Sequence, residues 1–347
     1  MSVVNPDGKR MILACDGGGL RGIIIVRCLE RLEAIEGKPC NQIFDFMAGT
    51  STGSVIVAGL AAGIPTRTLV DFYLKEAPNV FQPLSWFRQL LCRFGWRYDK
   101  SYLRQRMAEL IGDIQLKDLP VDILLTAKDT VRSETMFFEK DTFGEMRLAD
   151  AVEASGSAPT YFRPLGRYID GGIGAFNNPC YQAAREALYY YRKKHGPDKY
   201  VDGQVRMLSF GAGRAVNVMD EGEAERKSVL DWAMYVLNEM MDDANDNQVS
   251  ATYTDYHLTG RLDFRRYQVE MSREGMDLLG LAFPPDFDFG VLSELDNLNA
   301  LPWWDKIGRA LAKRIDFADP AGLDLRPRRP LNLGPTFFAG LGNVPPA

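Results

Sequence analysis

Residues 14–23 read ACDGGGLRGI. They follow a short apolar run, 11-MILAC-15, and precede 23-IIIVRCLERLEAIEG-37, in which Ile25, Leu29, Leu32 and Ile35 recur at helical spacing. Gly37 and Pro39 are stop signals. The segment therefore reads strand, glycine turn, helix. A second unit of the same kind follows, with 43-IFDFMAG-49 as strand, 50-TST-52 as a sharp turn and 53-GSVIVAGLAAG-63 as a small-residue helix. Two such units in succession predict an α/β fold, a parallel sheet with helices packed on it.

Gly17, Gly19 and Gly22 match the G-x-G-x-x-G spacing of a dinucleotide-binding turn. Three features argue against that use. Asp16 places a carboxylate where a diphosphate would sit. The second strand runs into another glycine turn instead of ending on a ribose-binding acid. Gly22-Ile23-Ile24 also replaces the Gly-Lys-Ser/Thr ending of a Walker loop. A nucleotide-binding oxidoreductase would thus rest on spacing alone. What remains is that glycines at a helix start present backbone N–H groups to an anion, which includes a transient oxyanion.

Gly49-Thr50-Ser51-Thr52-Gly53 is G-x-S-x-G between a strand and a helix, the context in which that motif exposes a nucleophilic serine. The flanking glycines permit a tight turn, and the helix N-terminus points at the same place. The alternative is a structural turn with an incidental serine. The serine needs a base. His195 lies in a charged turn, 192-RKKHGPDK-199, and His257 in 253-YTDYHLTG-260, which has no turn to aim it. Asp170 ends an apparent strand before Gly171 and Gly172. A carboxylate, ordinarily near pKa 3.9, serves as base if hydrogen-bonded to the serine and desolvated.

The chain has 347 residues, 46% hydrophobic and 25% charged, with net charge −5. That composition predicts a soluble globular protein and speaks against a dedicated nucleic-acid binder. Cys15, Cys28, Cys40, Cys92 and Cys180 are scattered without C-x-x-C spacing, which predicts reduced cysteines and no metal site. The start of the chain has no apolar signal core, and the expected location is cytoplasmic. Residues 81–98, FQPLSWFRQLLCRFGWRY, are aromatic, carry Arg88, Arg93 and Arg97 and lack acids. They read either as a core helix with basic edges or as a lid that meets anionic lipid. Further helices are expected from a Thr66 cap to Glu76, over 148–162 closed by Pro159, and over 101–112, 180–194, 226–245 and 302–315. Strands are expected over 121–127, 135–140, 205–210 and 262–271.

These words together resemble the patatin-like phospholipases. The family's pattern is G-G-G-x-R/K-G, then G-x-S-x-G, then D-G-G/A. Here it is carried by Gly17-Gly18-Gly19-Leu20-Arg21-Gly22, by Gly49 to Gly53, and by Asp170-Gly171-Gly172, in that order. The words 155-SGSAPTYF-162, Asn177-Asn178-Pro179 and 208-LSFGAG-213 add to it. The family carries Ala-Thr or similar before Ser-Ala-Pro where this chain has Ser155-Gly156. The resemblance covers roughly residues 10–215. It implies a three-layer α/β/α sandwich with a mostly parallel central sheet, and a catalytic domain over 8–315 with a less defined part at 216–315. A Pro-rich arm over 316–347 would follow.

The resemblance further implies a lipid acyl hydrolase of the phospholipase A or lysophospholipase type. Ser51 would be the nucleophile and Asp170 the base. Gly17, Gly18, Gly19 and Arg21 would form the oxyanion loop, with Gly49 and Gly53 in the elbow, Gly171 and Gly172 in the base turn, and no cofactor or metal. The partner would be membrane phospholipid, met peripherally through 81–98. A narrower reading is a bacterial antiphage effector switched on by a cyclic nucleotide, although no nucleotide motif follows Arg214. The rival is a catalytically silent lipid-binding or interaction protein on the same scaffold. Intact Ser51, Asp170 and glycine loop argue against it.

Overall fold

The computed structural model describes residues 2–81, 96–196, 198–216, 222, 224–226 and 228–327. Most of 81–98 and the Pro-rich end from 328 onward lie outside them.

The first strand, β1 (Arg10–Cys15), is buried on both faces. Its alternate residues enter two separate cores. Met11, Leu13 and Cys15 join one, and Ile12 and Ala14 join the other. A strand that is apolar on both sides needs a helix layer on each. The first core is covered by helices Gly22–Glu36, Thr52–Ala61, Leu148–Ser155 and Leu301–Arg314. The second is covered by the helical run Cys180–His195 and the end of the long helix Val229–Thr252. The result is the expected three-layer α/β/α sandwich.

The other strands are β2 (Phe46–Thr50), β3 (Asp122–Asp129), β4 (Glu134–Glu139), β5 (Tyr168–Asp170), β6 (Val205–Phe210), β7 (Arg214–Ala215), β8 (Asp263–Met271) and β9 (Leu323–Leu325). The sheet runs β4-β3-β2-β1-β6-β8-β7, with β5 beside β3 and β9 beside β8. All pairings are parallel except those of β3 with β4 and β5.

One detail of register positions the site. β4 occupies one edge of β3 from Leu124 to Asp129. On the other edge β2 runs parallel as far as Thr50, opposite Thr126. β5 runs antiparallel and ends at Asp170, opposite Ala127. The ends of β2 and β5 therefore meet head-on along β3. The residue after Thr50 is Ser51.

The sequence reading needs correction in places. The strand expected at 43–49 begins at Phe46, because Cys40–Ile43 forms a helical turn. The helix from Leu148 stops at Ser155, with Gly156 as cap, before Pro159. Thr66 lies inside its helix, not at the cap, where its N–H and hydroxyl both donate to Glu33. The part after Arg214 is integral to the sheet, since β8 lies between β6 and β7. The described start of the expected arm also packs on the body. Phe317 is buried and β9 pairs with β8.

Candidate active site

Ser51 links the end of β2 to helix Thr52–Ala61 with φ +53° and ψ −121°, a conformation that L side chains rarely adopt. Such strain costs about 1–3 kcal/mol and persists where the surroundings fix it. Here the Ser51 N–H donates to Ser155 Oγ at 2.9 Å, and Ser51 O accepts the Ser54 N–H (2.9 Å) and hydroxyl (2.6 Å). The elbow is pressed onto β1. A Cβ on Gly53 would lie 2.2 Å from Cys15 O, and one on Gly49 would lie 2.4 Å from Gly53 O. Both glycines of the motif are required by this close approach.

Asp170 faces Ser51 across the gap between the two strand ends. Its Oδ1 accepts the Gly172 N–H at 2.7 Å, and the nearby Ser51 hydroxyl favours its charged form. Its own N–H donates to Ser157 O at 3.0 Å. Only 4% of Asp170 is exposed. Burial pushes its pKa up to about 6, against the Ser51 hydroxyl and the Gly172 N–H, which favour the charged form. The carboxylate therefore carries its charge at neutral pH but holds a proton far more readily than a free aspartate.

The glycine loop presents fewer donors than its sequence suggests. The Gly17 N–H is already spent on Asn177 O at 3.0 Å. The N–H groups of Gly18 and Gly19 have no acceptor among the described residues, and both glycines line the cavity that holds Ser51 and Asp170. Arg21 is buried and turns Nε toward Gly18 O at 3.4 Å. It lies outside the cavity lining and shapes the loop from behind, in the field of Asp242. Asp16 does not face the loop either. Arg266 of β8 clasps it with two hydrogen bonds and also donates to Ser209 Oγ.

The cavity is a cleft open to solvent, of the apolar kind that takes small-molecule ligands. Its walls are almost wholly apolar, among them Val55, Phe72, Ala77, Tyr161, Phe162 and Met241. Ser51, Asp170 and the two free loop amides gather on one side of an otherwise greasy chamber. The histidines stand elsewhere. His195 Nε2 hydrogen-bonds to Asp141, and His257 Nδ1 accepts the Phe264 N–H. Among the described residues no group of three His, Cys, Asp or Glu side chains is placed to hold a metal.

Comparison with known proteins bears on this geometry. Residues 13–184, which span the glycine loop, the elbow and the aspartate, match the family model described as patatin-like phospholipase. Residues 13–184 thus resemble a patatin-like phospholipase domain. It is 33% identical over 230 residues to the intracellular phospholipase A2 of Caenorhabditis elegans, covering 61% of this chain and 20% of that one. It is 32% identical over 205 residues to the cGAMP-activated phospholipase of Vibrio cholerae, covering 51% and 57%. It is 28% identical over 293 residues to patatin-like protein 2 of Arabidopsis thaliana, covering 72% and 71%. The chain thus spans less than two thirds of the first two relatives.

Several residues that build this site escaped the sequence reading. Ser155 and Ser157 stood inside a family-like word, yet nothing local said that one would hold Ser51 and the other Asp170. Asn177 was visible only as part of Asn-Asn-Pro. Arg266 and Asn245 lie beyond Arg214, where no motif marks them.

Proposed function

We propose that the protein hydrolyses carboxylic esters of membrane lipids through a Ser51–Asp170 dyad. The observation that carries this reading is a serine beside a buried aspartate at the wall of an apolar cavity, with two loop amides that have no acceptor among the described residues. Ser51 Oγ attacks the ester carbonyl carbon while Asp170 accepts its proton. The amides of Gly18 and Gly19, with that of Thr52 at the helix start, receive the tetrahedral oxyanion. Asp170 then protonates the departing alkoxide, leaving the acyl group on Ser51. Water enters, gives its proton to Asp170 and attacks the acyl carbonyl. Collapse releases fatty acid and returns the proton to Ser51. A base with pKa near 6 suits both directions of transfer at neutral pH.

No helix among the described residues is long and apolar enough to cross a membrane, so lipid would be met at a surface. Helix Val229–Thr252 offers one. Trp232, Val236 and Met240, four residues apart, are 37%, 47% and 59% exposed, while neighbouring Met241 lines the cavity. The helix carries no lysine or arginine, so this face fits zwitterionic rather than anionic lipid.

A finer proposal is activation by a cyclic dinucleotide, supported by the relatives named as cGAMP-activated phospholipases. The test of both is fatty-acid release from fluorogenic phospholipid vesicles, without calcium, by wild type and Ser51→Ala, with and without cGAMP. Hydrolysis abolished in Ser51→Ala is expected. Hydrolysis that survives it would sink the mechanism, and a rate indifferent to cGAMP would remove that activator.

A further inference from the structure

We propose that Asn177, held by Asn245, is a positioning residue that fixes the oxyanion loop relative to the base turn. The proposal rests on the dyad reading above.

Asn177 is 1% exposed and contacts three elements at once. Its backbone O accepts the Gly17 N–H at 3.0 Å. Its side-chain Oδ1 sits where the missing side chains of two glycines would be. It lies 2.2 Å from the Cβ position of Gly17 and 2.7 Å from that of Gly172. A Cα–H of each glycine points along those directions, so the carbonyl oxygen receives weak Cα–H contacts from both turns. Among the described residues it has no conventional donor, which in a buried amide is a standing cost that some other role must offset.

The other end of the amide is anchored. Asn177 Nδ2 donates to Asn245 Oδ1 at 3.1 Å, both side chains being buried. Asn245 belongs to helix Val229–Thr252, whose Met241 lines the cavity one turn away. The pair thus ties a helix that carries no motif to the gap between Gly18–Gly19 and Asp170. The Gly172 N–H that this gap holds in place donates to the Asp170 carboxylate. A misplacement of about 1 Å between such groups can cost on the order of a hundredfold in rate. The same contacts explain why Gly17 and Gly172 admit no side chain, although Gly17 donates nothing to substrate.

The test compares wild type, Asn177→Ala, Asn245→Ala and the double variant, with Ser51→Ala as blank. The readouts are kcat and KM on a short soluble ester, thermal unfolding, and the Asp170 carboxyl titration followed by ¹³C NMR. Asn177→Ala is expected to lower kcat by about ten- to a hundredfold with KM within about twofold. Asn245→Ala is expected to lower kcat less, and the double variant no further than Asn177→Ala, because the two act as one strut. The Asp170 titration should move down in both single variants, as a loosened turn admits water.

Losses that multiply in the double variant would overturn the proposal. So would a raised KM at unchanged kcat, or an Asp170 titration unmoved in folded Asn245→Ala. If wild type turns over no faster than Ser51→Ala, the hydrolase reading fails. The titration, which needs no turnover, still decides the strut.

Discussion

Arg266 grips Asp16 through a bidentate pair, 2.8 and 2.5 Å, in a place where neither side chain reaches solvent. Asp16 opens the glycine loop and Arg266 stands on β8, 250 residues later. Burial still raises the Asp16 pKa above its ordinary value, despite its partner. Removing the partner leaves a buried carboxylate uncompensated, which typically costs about 3–5 kcal/mol. Arg266→Met should therefore lower the unfolding midpoint in urea sharply at pH 7. The double change Asp16→Leu with Arg266→Met should recover much of that loss. A single variant as stable as wild type would show that the pair contributes little.

The pH dependence follows from Asp170. With its pKa about 6, the base form is lost as pH falls through 6, so kcat/KM on a soluble ester should show an acid limb near that value. A limb near 4 would mean that the carboxylate is hydrated during turnover.

The same shift has a cost in stability. An acid whose folded pKa exceeds its unfolded value destabilises the fold as pH rises between the two. The penalty is absent below about pH 4 and complete above about pH 6, where it reaches about 3 kcal/mol. Asp170→Asn carries no such charge. Relative to wild type, its midpoint of thermal unfolding should rise as pH goes from 4 to 7 and then level off, while activity is lost. A difference that stays flat across this range would contradict the buried-charge account.

Ser155→Ala removes the acceptor of the Ser51 N–H and leaves the strained elbow less constrained. We expect kcat on a soluble ester to fall by about tenfold or more with little change in KM, as for a group that acts only through positioning. An unchanged kcat would show that β2 and helix Thr52–Ala61 hold the elbow unaided.

Trp232→Glu and Met240→Glu place charge on the exposed stripe of helix Val229–Thr252, outside the dyad. Activity on zwitterionic vesicles should drop by about tenfold while activity on a soluble ester stays within about twofold. Equal losses on both substrates would point to damage within the helix instead.

The sequence by itself determined the parts whose physics is local. Glycines at 17–19 and 49–53 follow strands and precede helices, and only such turns bring amides and a serine to a sheet edge together. The apolar runs of β1 and β2 declared a sheet buried on both faces. The tertiary structure decided everything that depends on who stands opposite whom. It brought Asp170 to Ser51 because β5 meets β2 head-on along β3, a register no local pattern encodes. It raised Asp170 to a pKa about 6 by burial, which no residue carries in its own chemistry. It gave the Gly17 N–H to Asn177, and it paired Asp16 with an arginine 250 residues away. Contacts between segments so far apart are set by how the two helix layers close on the sheet, and that closure is a property of the whole chain.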